Sequence, residues 1–170
     1  MIIKDFYHAP DQGEIITRAT TSASSGLSVD EIKLSVDSIV IDSHDFAQED
    51  FLVQERTRGT NAIKEFLNYR NPENASDMNI TFNQVAKHFD DFKKFFMSLS
   101  QARRSRAGKT FELILKQVFD YCNIPYSYQP RDVDGRPDFI IPGETGYRQT
   151  PQETLVVTAK RTVRERWRQI

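Results

Sequence analysis

Asp138 follows Pro137 and opens an apolar run, DFII, while Lys160 closes another, LVVTAK. Proline has no N–H to give to a sheet ladder, so Pro137 suits a strand entrance. Asp138 then begins that strand, and Lys160 ends a neighbour that is otherwise apolar. Two adjacent strands can bring such a carboxylate and such an ammonium to one sheet edge. Phosphodiester hydrolysis uses this pairing. A hard oxygen ligand holds Mg²⁺, the ion polarises the phosphoryl oxygen and activates water, and a lysine orients that water or stabilises developing charge. A plain ion pair at a sheet edge would use the same two residues.

Beyond Lys160 the chain reads RTVRERWRQI. Arg bonds the O6 and N7 of guanine, and Glu accepts from the N4 amino group of cytosine. Arg164, Glu165 and Arg166 therefore have the chemistry to read adjacent G·C pairs, with Arg161 and Arg168 on phosphates. Upstream, Arg103, Arg104, Arg106 and Lys109 read as phosphate contacts at a helix start. For both groups the alternative is ordinary solvated charge. Gly108-Lys109-Thr110 resembles the end of a phosphate-binding loop, but Arg103 stands where that loop needs glycine, so no nucleotide cofactor is expected. Cys122 is the only cysteine, which excludes a disulfide framework and a thiolate zinc site, and His8, His44 and His88 lack ligand spacing, so no zinc is expected. His88 is expected to flank a core.

These residues need elements to position them. ATTSASSGLS (19–28) is expected to be a loop, and Ser28-Val29-Asp30-Glu31 a capping box starting a short helix. SIVID (38–42) is a candidate strand and TNAIKEFLNYR (60–70) a helix ended by NPENASD. Thr81 and Gln84 form a second capping box. Val85, Phe89, Phe92, Phe96 and Leu99 then make one apolar stripe. A further helix over about Lys109–Cys122 has the stripe Phe111, Leu115, Val118 and Cys122, with Glu112 on its flank, within reach of a sheet rim. Asn123 ends it and Pro125 prevents its resumption. Strands are expected over Tyr126–Gln129, Asp138–Ile141 and Leu155–Thr158, the last apolar enough to be central. PGETGYRQTPQE (142–153) reads as a loop and Arg161–Ile170 as a helix start. The order implies an α/β sandwich, helices packed on a small mixed sheet.

The 170 residues suit one domain, and 38% hydrophobic residues with 12 Phe and 6 Tyr can build a core. Net charge is only −1 but unevenly spread. Residues 1–99 carry −6 and residues 100–170 carry +5. One cationic face is a plausible footprint for a polyanion, and ordinary scatter is the alternative. The N-terminus lacks a signal-peptide pattern, and no apolar run is long enough for a membrane span. A cytoplasmic chain with no membrane partner is expected.

Asp138, Lys160 in the context TAK, and Arg164-Glu165-Arg166 just beyond it together resemble the EcoRII-like restriction endonucleases, a group of the PD-(D/E)xK superfamily. The RWRQI ending and RAGKTFE (Arg106–Glu112) resemble the same group. The likeness is specific over roughly residues 100–170 and looser over residues 50–70, which include RGTNAIKEFL. It implies a PD-(D/E)xK restriction-endonuclease-like core, a mixed β-sheet flanked by helices. It implies a Mg²⁺-dependent, site-specific endonuclease acting on double-stranded DNA at a near-palindromic CC–central base–GG site, as a homodimer that flips the central bases. By the same resemblance Asp138 is the metal carboxylate, Lys160 the catalytic lysine and Glu112 the helix acid beside the site. Arg164, Glu165 and Arg166 are the base readers. Thr158 stands where the superfamily signature has an acid. In this group that acid comes from the helix beyond the reading motif, past Ile170. The expectation is a catalytic domain over residues 49–170, incomplete on its C-terminal side and a poor nuclease in this form. Residues 1–48 are an arm or the start of that domain. Two alternatives share the fold: an inactive DNA-binding module, and a repair or junction nuclease without base reading.

Overall fold

The computed structural model describes residues 1–71, 78–131, 133 and 135–159, without the side chains of residues 78–80. In chain order they form a 3₁₀ turn (Ile3–Phe6), α1 (Gln12–Ala23), α2 (Val29–Leu34), α3 (Val36–Arg70), α4 (Met78–Lys87) and α5 (Phe89–Tyr121). Then come β1 (Ser127–Tyr128), β2 (Phe139–Ile141), α6 (Glu144–Gln149), a 3₁₀ turn (Pro151–Glu153) and β3 (Leu155–Val157). The chain divides into two compact units. One comprises Met1–Asp11 and Gln48–Ser105, and the other Gln12–Ala47 and the described residues from Arg106 onward.

The first unit is built on aromatic packing. Ile3, Ala62, Phe66, Phe92, Phe95 and Leu99 form its core. The buried face of α5 here is Phe92, Phe95 and Leu99, whereas Phe89 and Phe96 of the expected stripe are exposed. Spacings of three and four fit both sets, and the partner surface decided between them. His88 flanks this core as expected, packed edge-on against Phe66 at 5.2 Å. Thr81, expected to cap a helix start, lies inside α4 instead.

The second unit holds the sheet. Its core is Ile16, Ile32, Ile39, Val40, Ile114, Val118 and Cys122, with Phe111 and Leu115 packed beside it. Residues 19–23, expected in a loop, continue α1, because Ile15, Ile16, Ala19 and Thr20 recur at helical spacing and all are buried. The expected strand 38–42 is helical: Ile39, Val40, Ser43 and Ala47 bury one helix face while Ile41 is exposed. The Ser28–Glu31 capping box forms, with Ser28 N–H donating to Glu31 Oε2 at 2.8 Å. Asn123 ends α5 at φ 52°, with Ile124 N–H bonded to the Phe119 carbonyl and Asn123 N–H to that of Asp120. These two bonds are those of a Schellman cap.

The sheet order is β1-β2-β3. Both pairings are antiparallel, with Tyr128 opposite Phe139 and Phe139 opposite Val157. A small sheet with flanking helices is the expected α/β architecture, but among the described residues the pairing is antiparallel throughout, not mixed. β2, not β3, is central among the described residues, and Leu155 and Val156 of β3 are 60% and 47% exposed. The expected loop 142–153 contains α6 and a 3₁₀ turn.

Candidate functional site

Asp138 stands one residue before β2 and is tied down three ways. Its N–H donates to the Val157 carbonyl at 3.0 Å, and its own carbonyl accepts from Gln129 N–H at 2.9 Å. The ladder therefore extends past β2 to both neighbours. Its side-chain Oδ2 accepts from the buried Ala159 N–H at 2.6 Å. Backbone bonds set the Cα, and the third bond sets the carboxylate rotamer. Among the described residues Oδ1 accepts no hydrogen bond.

Glu112 lies on α5, and its side chain is only 16% exposed. Three donors converge on its Oε2: Lys109 Nζ at 3.2 Å, Tyr128 OH at 3.1 Å and Gln129 Nε2 at 3.1 Å. Among the described residues none reaches Oε1. Lys109 also bonds the Tyr128 hydroxyl. Partial burial pulls the Lys109 ammonium down, but the bonds to Tyr128 and Glu112 outweigh it and hold the group above its usual range. Lys109 is thus a permanent cation at neutral pH, neutralising Glu112 locally.

One residue bonds both Asp138 and Glu112, the first at its main-chain carbonyl and the second at its carboxylate. Gln129 bonds the Asp138 carbonyl through its backbone and Glu112 through its side chain. The connection follows from chain lengths. From Glu112 to the Asn123 cap, a helix rising about 1.5 Å per residue covers ~16 Å. From Asn123 to Tyr128 and Gln129, extended chain at about 3.3 Å per residue returns ~16–20 Å. Local patterning did not single out Tyr128 or Gln129, but this return distance could have done so.

Each carboxylate is held through one oxygen and keeps a second. Each is a hard oxygen donor of the kind Mg²⁺ prefers, though among the described residues no group of three or more His, Cys, Asp or Glu side chains could hold a metal ion. Lys160, Arg161, Arg164, Glu165, Arg166 and Arg168 lie outside the described residues.

Arg103, Arg104, Arg106 and Lys109 lie in the interior of α5, not at a helix start. Arg103 Nε donates to Glu55 Oε1 at 2.6 Å, and that carboxylate is only 2% exposed. A buried carboxylate is costly without its cation. Arg103→Ala is therefore expected to destabilise the fold by about 1–3 kcal/mol, less than a fully buried pair would because the Arg103 side chain is 57% exposed. Urea unfolding measures this. A variant of unchanged stability but weakened DNA binding would make Arg103 a phosphate contact instead.

The EcoRII C terminal family matches residues 66–170, a span holding every candidate site residue above. The type II restriction enzyme SsoII of Shigella sonnei is 34% identical over 83 residues, covering 44% of this chain and 27% of that enzyme. The type II restriction enzyme EcoRII of Escherichia coli is 36% identical over 86 residues, 48% of this chain and 21% of that enzyme. Among solved structures, metal-depleted Ecl18kI in complex with uncleaved, modified DNA is 21% identical with a TM-score of 0.76. It covers 97% of this chain and 57% of that one, a likeness of fold. A complex of the restriction endonuclease PspGI with substrate DNA is 25% identical with a TM-score of 0.61, covering 94% and 58%. The chain thus spans little more than half of these structures, and its matches span about a quarter or less of the two curated enzymes.

Proposed function

The chain belongs to the EcoRII C terminal family, and on that premise we propose that it forms the catalytic part of a Mg²⁺-dependent, site-specific type II restriction endonuclease acting on double-stranded DNA. The observation that carries the reading is Asp138, its carboxylate held at the strand end by Ala159 N–H and its main-chain carbonyl bonded by Gln129, whose side chain bonds Glu112. Asp138 would hold the ion through its remaining oxygen, with Glu112 as the neighbouring acid. When bound, the ion supplies Lewis-acid polarisation of the scissile phosphate and a more acidic water. The protein's own contribution is placement. The strand ladder fixes Asp138, and Lys109, Tyr128 and Gln129 fix Glu112. Lys160 directly follows Ala159 in sequence and is assigned the task of orienting the attacking water or stabilising developing charge.

Base reading is assigned to Arg164, Glu165 and Arg166, with Arg103, Arg104, Arg106, Lys109, Arg161 and Arg168 as the pool of phosphate contacts. The engagement of Arg103 with Glu55 and of Lys109 with Glu112 weakens the case for those two. The target proposed is a near-palindromic CC–central base–GG site, bound by a homodimer so that the two-fold axis of the protein meets that of the site. Arg164→Ala or Arg166→Ala is expected to cost about 1–3 kcal/mol of discrimination at one G·C pair. Binding measured on duplexes differing at single positions checks this. Uniform weakening on every duplex would move these arginines to the phosphates.

A further inference from the structure

We propose that Gln129 is a positioning residue, holding the Glu112 carboxylate in register with Asp138. The inference rests on the nuclease reading above and adds a residue to it. Two independent observations carry it. First, Gln129 is the only described residue bonded to both acids, through its backbone N–H to the Asp138 carbonyl and its side-chain amide to Glu112 Oε2. Second, its φ is 48°, in the left-handed region. Only glycine enters that region freely, with Asn and Asp tolerated by virtue of their short polar side chains. Pro130 follows, which further disfavours anything but extended backbone at Gln129. A glutamine held there against its preference, with its side chain exposed, adds nothing to a core. The strain is sustained by a bond that glycine could not make.

The length of the side chain also fits. Lys109 meets Glu112 from the same helix, and Tyr128 meets it from β1. Among these donors only Gln129 also bonds Asp138 itself, so its amide is the most direct coupling of Glu112 to the strand-end residue. Removing such an orienting bond typically costs about 10–100-fold in metal affinity or activity.

The test uses Gln129→Gly and Gln129→Asn, both tolerant of the left-handed backbone, the second too short to reach Glu112. Mn²⁺ uptake in the presence of a CC–central base–GG duplex is followed by electron paramagnetic resonance, alongside cleavage and thermal unfolding in the complete encoded protein. The expected result is an unchanged or higher Tm for Gln129→Gly, with the Mn²⁺ half-saturation raised and cleavage lowered by about 10–100-fold. Gln129→Asn should match it in uptake and cleavage. In a Glu112→Gln background, Gln129→Gly should change uptake far less, since the two act as a unit. Parental uptake and cleavage in Gln129→Gly overturn the inference, as does a Tm loss that accounts for its defects. A parent protein that neither takes up Mn²⁺ nor cleaves overturns the nuclease reading, and the inference with it.

Discussion

Asp138→Asn is expected to lower DNA cleavage by about 10²–10³-fold, the scale on which loss of one preorganised electrostatic group acts, while leaving the sheet intact. Asparagine keeps an acceptor for the Ala159 N–H and keeps both ladder bonds, because those are made by the backbone. It loses the negative charge that a divalent cation requires. DNA affinity without metal should survive and can rise, since a carboxylate near phosphate repels it. Lys160→Ala should share the cleavage defect and also retain binding. Single-turnover cleavage and metal-free binding on the same duplex separate the two effects. Cleavage by Asp138→Asn at the parental rate would remove Asp138 from the site. Loss of unfolding cooperativity would instead make it a structural residue.

Phe139→Ala is expected to destabilise the fold by about 3–5 kcal/mol, the usual range for deleting a buried aromatic. Phe139 is fully buried and packs against Phe119 at 5.2 Å, Tyr126 at 5.7 Å and Tyr128 at 5.2 Å. Its ring joins α5 to the sheet, so it supports both sides of the site at once. Asp138 precedes it, Tyr128 is its cross-strand partner, and Phe119 lies seven positions beyond Glu112 on α5. Phe139→Leu, which retains much of the volume, should cost markedly less. Urea unfolding monitored by far-UV circular dichroism gives both values. A loss below about 1 kcal/mol for Phe139→Ala would mean that the aromatic cluster is not what joins helix to sheet.

Features set by local chemistry were legible in the sequence. The Ser28–Glu31 box, the Asn123 cap and the three strands lie where residue type and spacing put them. The placement of Glu112 on a helix and of Asp138 at a strand entrance was also legible, one from its flank position and the other from the proline before it. Features decided by tertiary context were not. SIVID suits a strand or a buried helix, and only the burial of Ile39, Val40, Ser43 and Ala47 on one face selects helix. ATTSA has a loop composition, yet its small residues allow close packing, and Thr20 bonds Gln117 of α5 there. The stripe at 89–99 was ambiguous by one residue, and the core of the first unit resolved it towards Phe95. Tyr128 and Gln129 escaped notice because their tie to Glu112 spans a helix cap and a chain reversal.

The most direct measurement is a cleavage map. A plasmid of known sequence is incubated with the complete encoded protein, with Mg²⁺ or with a chelator, and the ends are sequenced. The account expects breaks confined to CC–central base–GG sites, dependent on the divalent cation and absent with Asp138→Asn. Breaks scattered without regard to that sequence, breaks that persist in chelator, or intact plasmid under all conditions would contradict it.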